Sequence, residues 1–340
     1  MSGARRRAAG PVPVAEQAWP PEAVPVVSVC CMTYNHERFV RQCLEGFLRQ
    51  ETTFPIEVLI HDDASTDGTA EIVREYEARH PWLLRPIYQR ENQYRQGIRP
   101  NLRFNFPRAR GKYIAICEGD DYWVDSRQLQ TQVEFLDAHP EYVVCYHDVT
   151  EVDEHGNDLG NRTHDKFRRD YNARELMMGA WAPPATRCFR NVLAELPAEI
   201  ERVLSVDIFT TVLLGEHGQG KYLGQLRPAA YRQHPGSIWT SLGEQEKSFQ
   251  TLNSRLQIYA YHLRTKQREF AVDFLLEAVI PVIEQVFPDR NPICGRTRRL
   301  EAALRQSRAQ ESSWIVRAAR WLWRLVDVGL RRLGLRAPSS

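Results

Sequence analysis

The sequence predicts an α/β fold built on a mostly parallel sheet with helices covering both faces. Three observations lead there. From Val26 onward, short apolar runs of strand length alternate with segments of helical character. Polar clusters follow the ends of these runs, where ligands sit in open parallel sheets. A chain of 340 residues with 43% hydrophobic residues can also bury at least one sizeable core.

Taken in order, VVSVCCM reads as a buried strand, residues 37–50 as a helix, IEVLI as a second strand and residues 69–79 as a second helix. Asp67 or Thr69 is the candidate cap of that helix. LLRPIY, an Arg- and Asn-rich loop, the strand YIAIC, a helix over 126–139 and the strand YVVCY follow. Residues 148–239 are less regular, with a helix through VDIFTTVLLGEHG and short strands at KYLGQL and AAYRQH. Residues 244–287 read as wholly helical. The division expected is a disordered lead-in over 1–25, the α/β domain over 26–240, a helical extension over 241–290 and a basic tail over 291–340.

Composition narrows the partners. A formal net charge of +2 argues against a nucleic-acid binder. Seven cysteines without zinc or CxxC spacing fit a reducing cytosol better than a disulfide framework. The lead-in is rich in Pro and Ala and lacks the apolar centre of a signal peptide, and no run is long enough to span a bilayer. A cytoplasmic protein is expected.

The stretch CEGDDYW places Glu118, Asp120 and Asp121 within four residues after a strand. Carboxylates so close raise one another's pKa unless a cation or proton neutralises them. Oxygen ligands with open positions suit Mg²⁺ or Mn²⁺, and an ion so held completes its shell with phosphate oxygens. That points to a nucleotide or diphosphate ligand. Neither a GxxxxGK[ST] cradle nor a GxGxxG turn is present, which excludes P-loop enzymes and dinucleotide dehydrogenases. Taken alone, the acids of HDDASTDGT are equally well read as turn and cap residues.

VSVCCMTYNHERFVRQCL, VLIHDDASTDGTAEIV and ARGKYIAICEGDDYWVDSRQLQTQVEFLD, in that order, resemble the family 2 glycosyltransferases of GT-A fold. The resemblance is strong over 26–149 and weaker to about 239. It implies that Thr33, Tyr34 and Asn35 belong to the nucleotide-binding block and that Asp63 accepts the imide N–H of a pyrimidine, hence a UDP- or dTDP-sugar donor. Glu118-Gly119-Asp120 stands where the family has Asp-x-Asp. Asp120 would ligate the metal, Glu118 and Gly119 would meet the nucleotide, and Asp121 would support the site. The first position is Glu rather than the commoner Asp.

An inverting transfer needs a carboxylate base for the acceptor hydroxyl. The resemblance implies an acid at a helix start after the central region, commonly Glu-Asp; here Val206-Asp207 stands there, so Asp207 is the candidate. His234 is either a third metal ligand, as in some relatives, or a structural hydrogen-bonding residue, and Arg232 is a candidate for phosphate. Arg90, Arg95, Arg99 and Arg103 either meet the diphosphate or are solvated, and Trp181 either stacks on an acceptor sugar or packs in the core.

The tail SSWIVRAARWLWRLVDVGLRRLGLR carries six arginines against one aspartate, with Arg317, Arg320, Arg324 and Arg331 on one helical face and tryptophans opposite. Such a helix suits an anionic membrane surface at the inner face of the plasma membrane, or docks on protein. The function expected is sugar transfer to a glycan or lipid-linked acceptor in cell-surface polysaccharide or lipopolysaccharide biosynthesis. A sugar nucleotidyltransferase and a non-catalytic nucleotide-sugar-binding scaffold are the alternatives.

Overall fold

A computed structural model describes residues 10–20, 22–266 and 268–286. The basic tail helix expected over 313–336 lies outside the described residues. The strands are β1 (Val12–Pro13), β2 (Val27–Thr33), β3 (Glu51–Thr52), β4 (Ile56–Asp62), β5 (Leu84–Tyr88), β6 (Tyr113–Ile116), β7 (Tyr142–Tyr146), β8 (Val149–Val152), β9 (Asp158–Arg162), β10 (Cys188–Arg190), β11 (Gln219–Tyr222) and β12 (Ala229–Arg232). The helices are α1 (Val40–Leu48), α2 (Thr69–Arg79), α3 (Gln128–Ala138), α4 (Ala173–Met177), α5 (Val206–Leu214), α6 (Glu244–Thr265), α7 (Arg268–Phe274) and α8 (Ile280–Val286).

The chain forms two compact units. The first holds the described residues up to Leu176 together with Trp181–Ala194 and Leu213–Gly236. Its main sheet runs β11-β7-β10-β6-β2-β4-β5. Every pairing in it is parallel except those of β10 with β6 and β7. β2 leads to β4 and β5 on one side while β6 lies on the other, so the strand order reverses between β2 and β6. The crevice at their carboxyl ends is the switch point at which such sheets bind ligands.

These segments fold as they do because both sheet faces are covered. All seven residues of β4 are buried, and so are six of seven in β2. Helix α1 buries Val40, Cys43, Leu44, Phe47 and Leu48, a stripe at helical spacing that packs in the core with Val29, Val58 and Trp123. Trp123 closes this layer: its ring meets Phe47 at 4.8 Å and its indole N–H donates to Ala185 O at 2.7 Å. Gly46 lets α1 approach, since a Cβ there would lie 3.1 Å from Trp123 N.

Two features depart from the sequence expectation. Val12–Pro13, within the lead-in read as disordered, pair antiparallel with β3, and Val14 is buried. β8 and β9 form an antiparallel pair, extended by β12 parallel to β8. The described part of residues 244–287 is helical, as expected, in the order α6, α7, a π-helical turn (Leu275–Val279) and α8, with a break after Thr265.

The second unit comprises Met177–Ala180, Glu195–Val212 and the described residues from Ser237 on. Within it α6 buries Phe249, Leu252, Leu256 and Tyr259. Partly buried Arg255 donates to Met178 O (2.7 Å) and Gly179 O (3.2 Å), and desolvation lowers its pKa to about 10. No helix among the described residues is long and apolar enough to cross a membrane.

Candidate active site

Two loops at the carboxyl ends of β2 and β4 brace each other. Asn35 and Ala64 both adopt left-handed backbone, at φ 55° and 62°. Asn35 N–H donates to Ser65 Oγ at 2.9 Å, and Asn35 Oδ1 accepts from Thr66 N at 2.8 Å. Asp67 accepts from Thr69 N at the start of α2 and from Glu37 N across the gap, at 3.0 and 3.1 Å. His36 N–H donates to Thr69 Oγ1 at 2.8 Å. The TYNH segment is thereby held against the helix that follows β4.

The third loop follows β6. Gly119 N–H donates to Met32 O at 2.8 Å, which seats the loop on β2. A Cβ on Gly119 would lie 2.8 Å from Thr33 Oγ1 and 3.0 Å from His36 Nδ1, so only glycine fits without displacement. Tyr122 then pairs with Ala230 of β12, and this bridge brings His234 back to Asp120.

The result is a cluster of His36, Asp120 and His234, whose ligand atoms lie within 4.8 Å of one another. Asp120 Oδ2 is 3.1 Å from His234 Nε2 and 3.7 Å from His36 Nε2. His234 Nδ1 accepts from Gly236 N–H at 3.2 Å. Burial would raise the Asp120 carboxyl, but the two imidazoles facing it hold it below the ordinary carboxylate range. Burial lowers His36, chiefly by excluding water from its charged form, with Asp120 opposing. A neutral imidazole keeps a lone pair for a metal.

Asp121 is buried behind this cluster, and its pKa is pushed far up, first by burial and then by the charge of Asp120. Arg232 provides the support. Its backbone N–H donates to Asp121 Oδ1 at 2.9 Å, and its guanidinium donates to the carbonyls of Asp120 (2.8 Å), Asp153 and Glu154 (both 3.2 Å) and to Gln42 Oε1 (2.7 Å). The same group stacks over Phe39 at 4.8 Å and Tyr122 at 5.2 Å. Arg232 spends its donors inside the protein rather than on a phosphate.

Asp63 lies at the end of β4, buried. Its Oδ1 accepts from Gln93 N at 2.8 Å and faces His61 Nε2 at 3.2 Å, and its Oδ2 accepts from Tyr94 N at 3.0 Å. Burial opposes ionisation, but these donors together hold the carboxyl below its ordinary pKa. Beside it Arg95 lies over the Tyr34 ring at 5.8 Å.

The first unit thus brings together Thr33, Tyr34, Asn35, Asp63, Gly119, Asp120, Asp121 and His234 around the carboxyl ends of β2, β4 and β6, with Glu118 exposed in the same loop as Asp120. Asn35 takes a bracing role there. Asp207 belongs to the second unit, half-buried in the first turn of α5. The residues before it are fixed by Leu204 N–H on Asn253 Oδ1 (3.1 Å) and Ser205 N–H on Ser254 Oγ (3.3 Å). Trp181 is partly buried against the core and meets the Phe167 ring at 5.0 Å. His36 was not foreseen, and its one sequence signal is its place directly after Asn35 in the loop beyond β2.

The cluster fits a divalent ion. Asp120 Oδ1 and His36 Nδ1 are buried without a hydrogen-bond partner among the described residues. Each such group needs an explanation, and beside the other ligand atoms of the cluster an ion supplies one. One carboxylate and two imidazoles also leave coordination positions for phosphate oxygens.

Residues 28–192 match the family model described as glycosyl transferase family 2. Among relatives, Rv1520 of Mycobacterium tuberculosis is 37% identical over 227 residues, covering 66% of this chain. The chain spans 63% of the length of that relative. The structure of S. aureus TarS 1-349 in complex with UDP-GlcNAc superposes with a TM-score of 0.51 at 17% identity, over 82% of this chain and 88% of that one. The mannosyltransferase PcManGT from Pyrobaculum calidifontis, in complex with GDP-Man and Mn²⁺, gives 0.52 at 18% identity, over 93% and 85%. At these identities the two structures establish a shared fold. With the sheet order and the loop cluster in agreement with the family match, residues 28–192 carry the pattern of glycosyl transferase family 2.

Proposed function

We propose that this protein transfers a sugar, with inversion, from a nucleotide-sugar to a hydroxyl of a glycan or lipid-linked acceptor. The observation that carries the reading is the His36–Asp120–His234 cluster at the switch point of the sheet, in the same unit as the Asp63 carboxylate. His36, Asp120 and His234 would hold Mn²⁺ or Mg²⁺, with Mn²⁺ the better match to two imidazoles. When bound, the ion supplies charge neutralisation for the diphosphate leaving group.

The residues divide the remaining work. Asp121 and Arg232 keep Asp120 aimed at the ion. For His234 to offer its Nε2 lone pair, the ring proton sits on Nδ1, which displaces the Gly236 N–H donor. Asp63 accepts the N3–H of uracil or thymine, Tyr34 and Thr33 line the nucleotide, and Glu118 meets the ribose. Asp207 takes the proton of the acceptor hydroxyl as it attacks the anomeric carbon. Of the bound nucleotides in the similar structures, UDP agrees with this use of Asp63.

The test is turnover. Incubated with UDP-sugars and Mn²⁺, the protein should release UDP, and Asp207→Asn should abolish release while UDP affinity stays within about threefold of wild type. Formation of pyrophosphate from a nucleoside triphosphate and a sugar phosphate would instead identify a nucleotidyltransferase. Binding without turnover of any donor would identify a scaffold.

A further inference from the structure

His61 is a fully buried histidine inside β4, two residues before Asp63 and therefore on the same face of the strand. Its Nε2 lies 3.2 Å from Asp63 Oδ1, its ring packs on Phe104 at 4.8 Å and 30°, and its Nδ1 has no partner among the described residues. Asp63 is ionised, because its donors hold the carboxyl below its ordinary range. A carboxylate only accepts, so the ring proton is on Nε2 and is donated to Oδ1.

The consequence is a count of lone pairs. Oδ1 accepts from both Gln93 N–H and His61 Nε2–H, which occupies it. Oδ2 accepts from Tyr94 N–H alone among the described residues and retains one acceptor direction. Asn92 closes around the same residue, its Nδ2 donating to the backbone carbonyl of Asp63 at 3.1 Å. A base edge arriving at Asp63 therefore finds room for one N–H.

We propose that His61 is the positioning residue that sets nucleobase specificity: by occupying Asp63 Oδ1 it leaves one acceptor, matched to the single N3–H of uracil or thymine and mismatched to the paired N1–H and N2–H donors of guanine. This rests on the reading that Asp63 receives the base. A donor left unpaired in a buried site costs the wrong base its affinity, whereas a base offering one N–H loses nothing.

The experiment is titration of UDP, CDP and GDP with Mn²⁺ into wild type, His61→Met and His61→Gln. Glutamine keeps an N–H donor near the Nε2 position, and methionine removes it. Wild type should bind UDP about tenfold or more tightly than either CDP or GDP. His61→Met should lower the UDP-to-GDP ratio by about tenfold while preserving the UDP-to-CDP ratio, and His61→Gln should retain both. UDP binding no tighter than CDP in wild type overturns the role of Asp63 itself. A preserved UDP-to-CDP preference with an unchanged UDP-to-GDP ratio in His61→Met overturns the role of His61 alone. Should the methionine variant fail to fold, His61→Gln decides: a collapsed UDP-to-GDP ratio there contradicts the proposal.

Discussion

His147 shows what a buried histidine costs when no ligand explains it. It is fully buried, neither ring nitrogen has a hydrogen-bond partner among the described residues, and burial lowers its pKa to about 4 against the pull of Asp125 and Asp148. Above pH 6.5 the ring is neutral in both folded and unfolded chains and contributes nothing to the pH dependence. Below that, the unfolded chain takes up a proton that the folded one refuses until about pH 4, so stability falls as pH falls. At pH 5 this single group costs about 2 kcal/mol. Urea unfolding at pH 7.5 and pH 5 should therefore show His147→Gln losing about 2 kcal/mol less than wild type over that interval. Parallel losses would contradict the assignment. His36 is only partly buried and faces a carboxylate and a second imidazole, and that difference separates a ligand candidate from a core residue.

At the level of elements, β12 matters because it carries Arg232 and leads to His234. Arg232 satisfies the carbonyls of Asp120, Asp153 and Glu154 and the side chain of Gln42. Arg232→Met should cost about 3 kcal/mol or more, because several buried acceptors lose their donor together. Denaturant unfolding measures the loss, and Mn²⁺ affinity should fall with it because Asp120 is no longer held. A variant as stable as wild type would show that the buttress is dispensable. The sequence displays the parallel strands clearly, since cover on both faces makes them continuous apolar runs. It hides β9, whose residues are all exposed, and β10, which is three residues long. Neither has the length or alternation that makes a strand visible.

Across the whole molecule, the three acidic and polar loops of the site were legible because each follows an apolar run. The cluster they build was legible only in part. Asp120 and His234 are 114 residues apart, and they meet because Tyr122 bridges to β12, a long-range pairing that no local pattern announces. His36 joins them only through the left-handed turn at Asn35 and the close approach at Gly119. The carboxylate proposed as base, Asp207, sits in a separate compact unit, so its role depends on chemistry rather than on the local pattern around it. The central claim is that a metal held by His36, Asp120 and His234 binds the diphosphate of a nucleotide. Calorimetric titration of UDP into wild type, Asp120→Ala and His36→Gln, with Mn²⁺ and with EDTA, tests it most directly. The account predicts UDP binding that requires Mn²⁺, is lost in Asp120→Ala and is weakened about tenfold or more in His36→Gln. Equal binding with EDTA, or full Mn²⁺-dependent binding in Asp120→Ala, would contradict it.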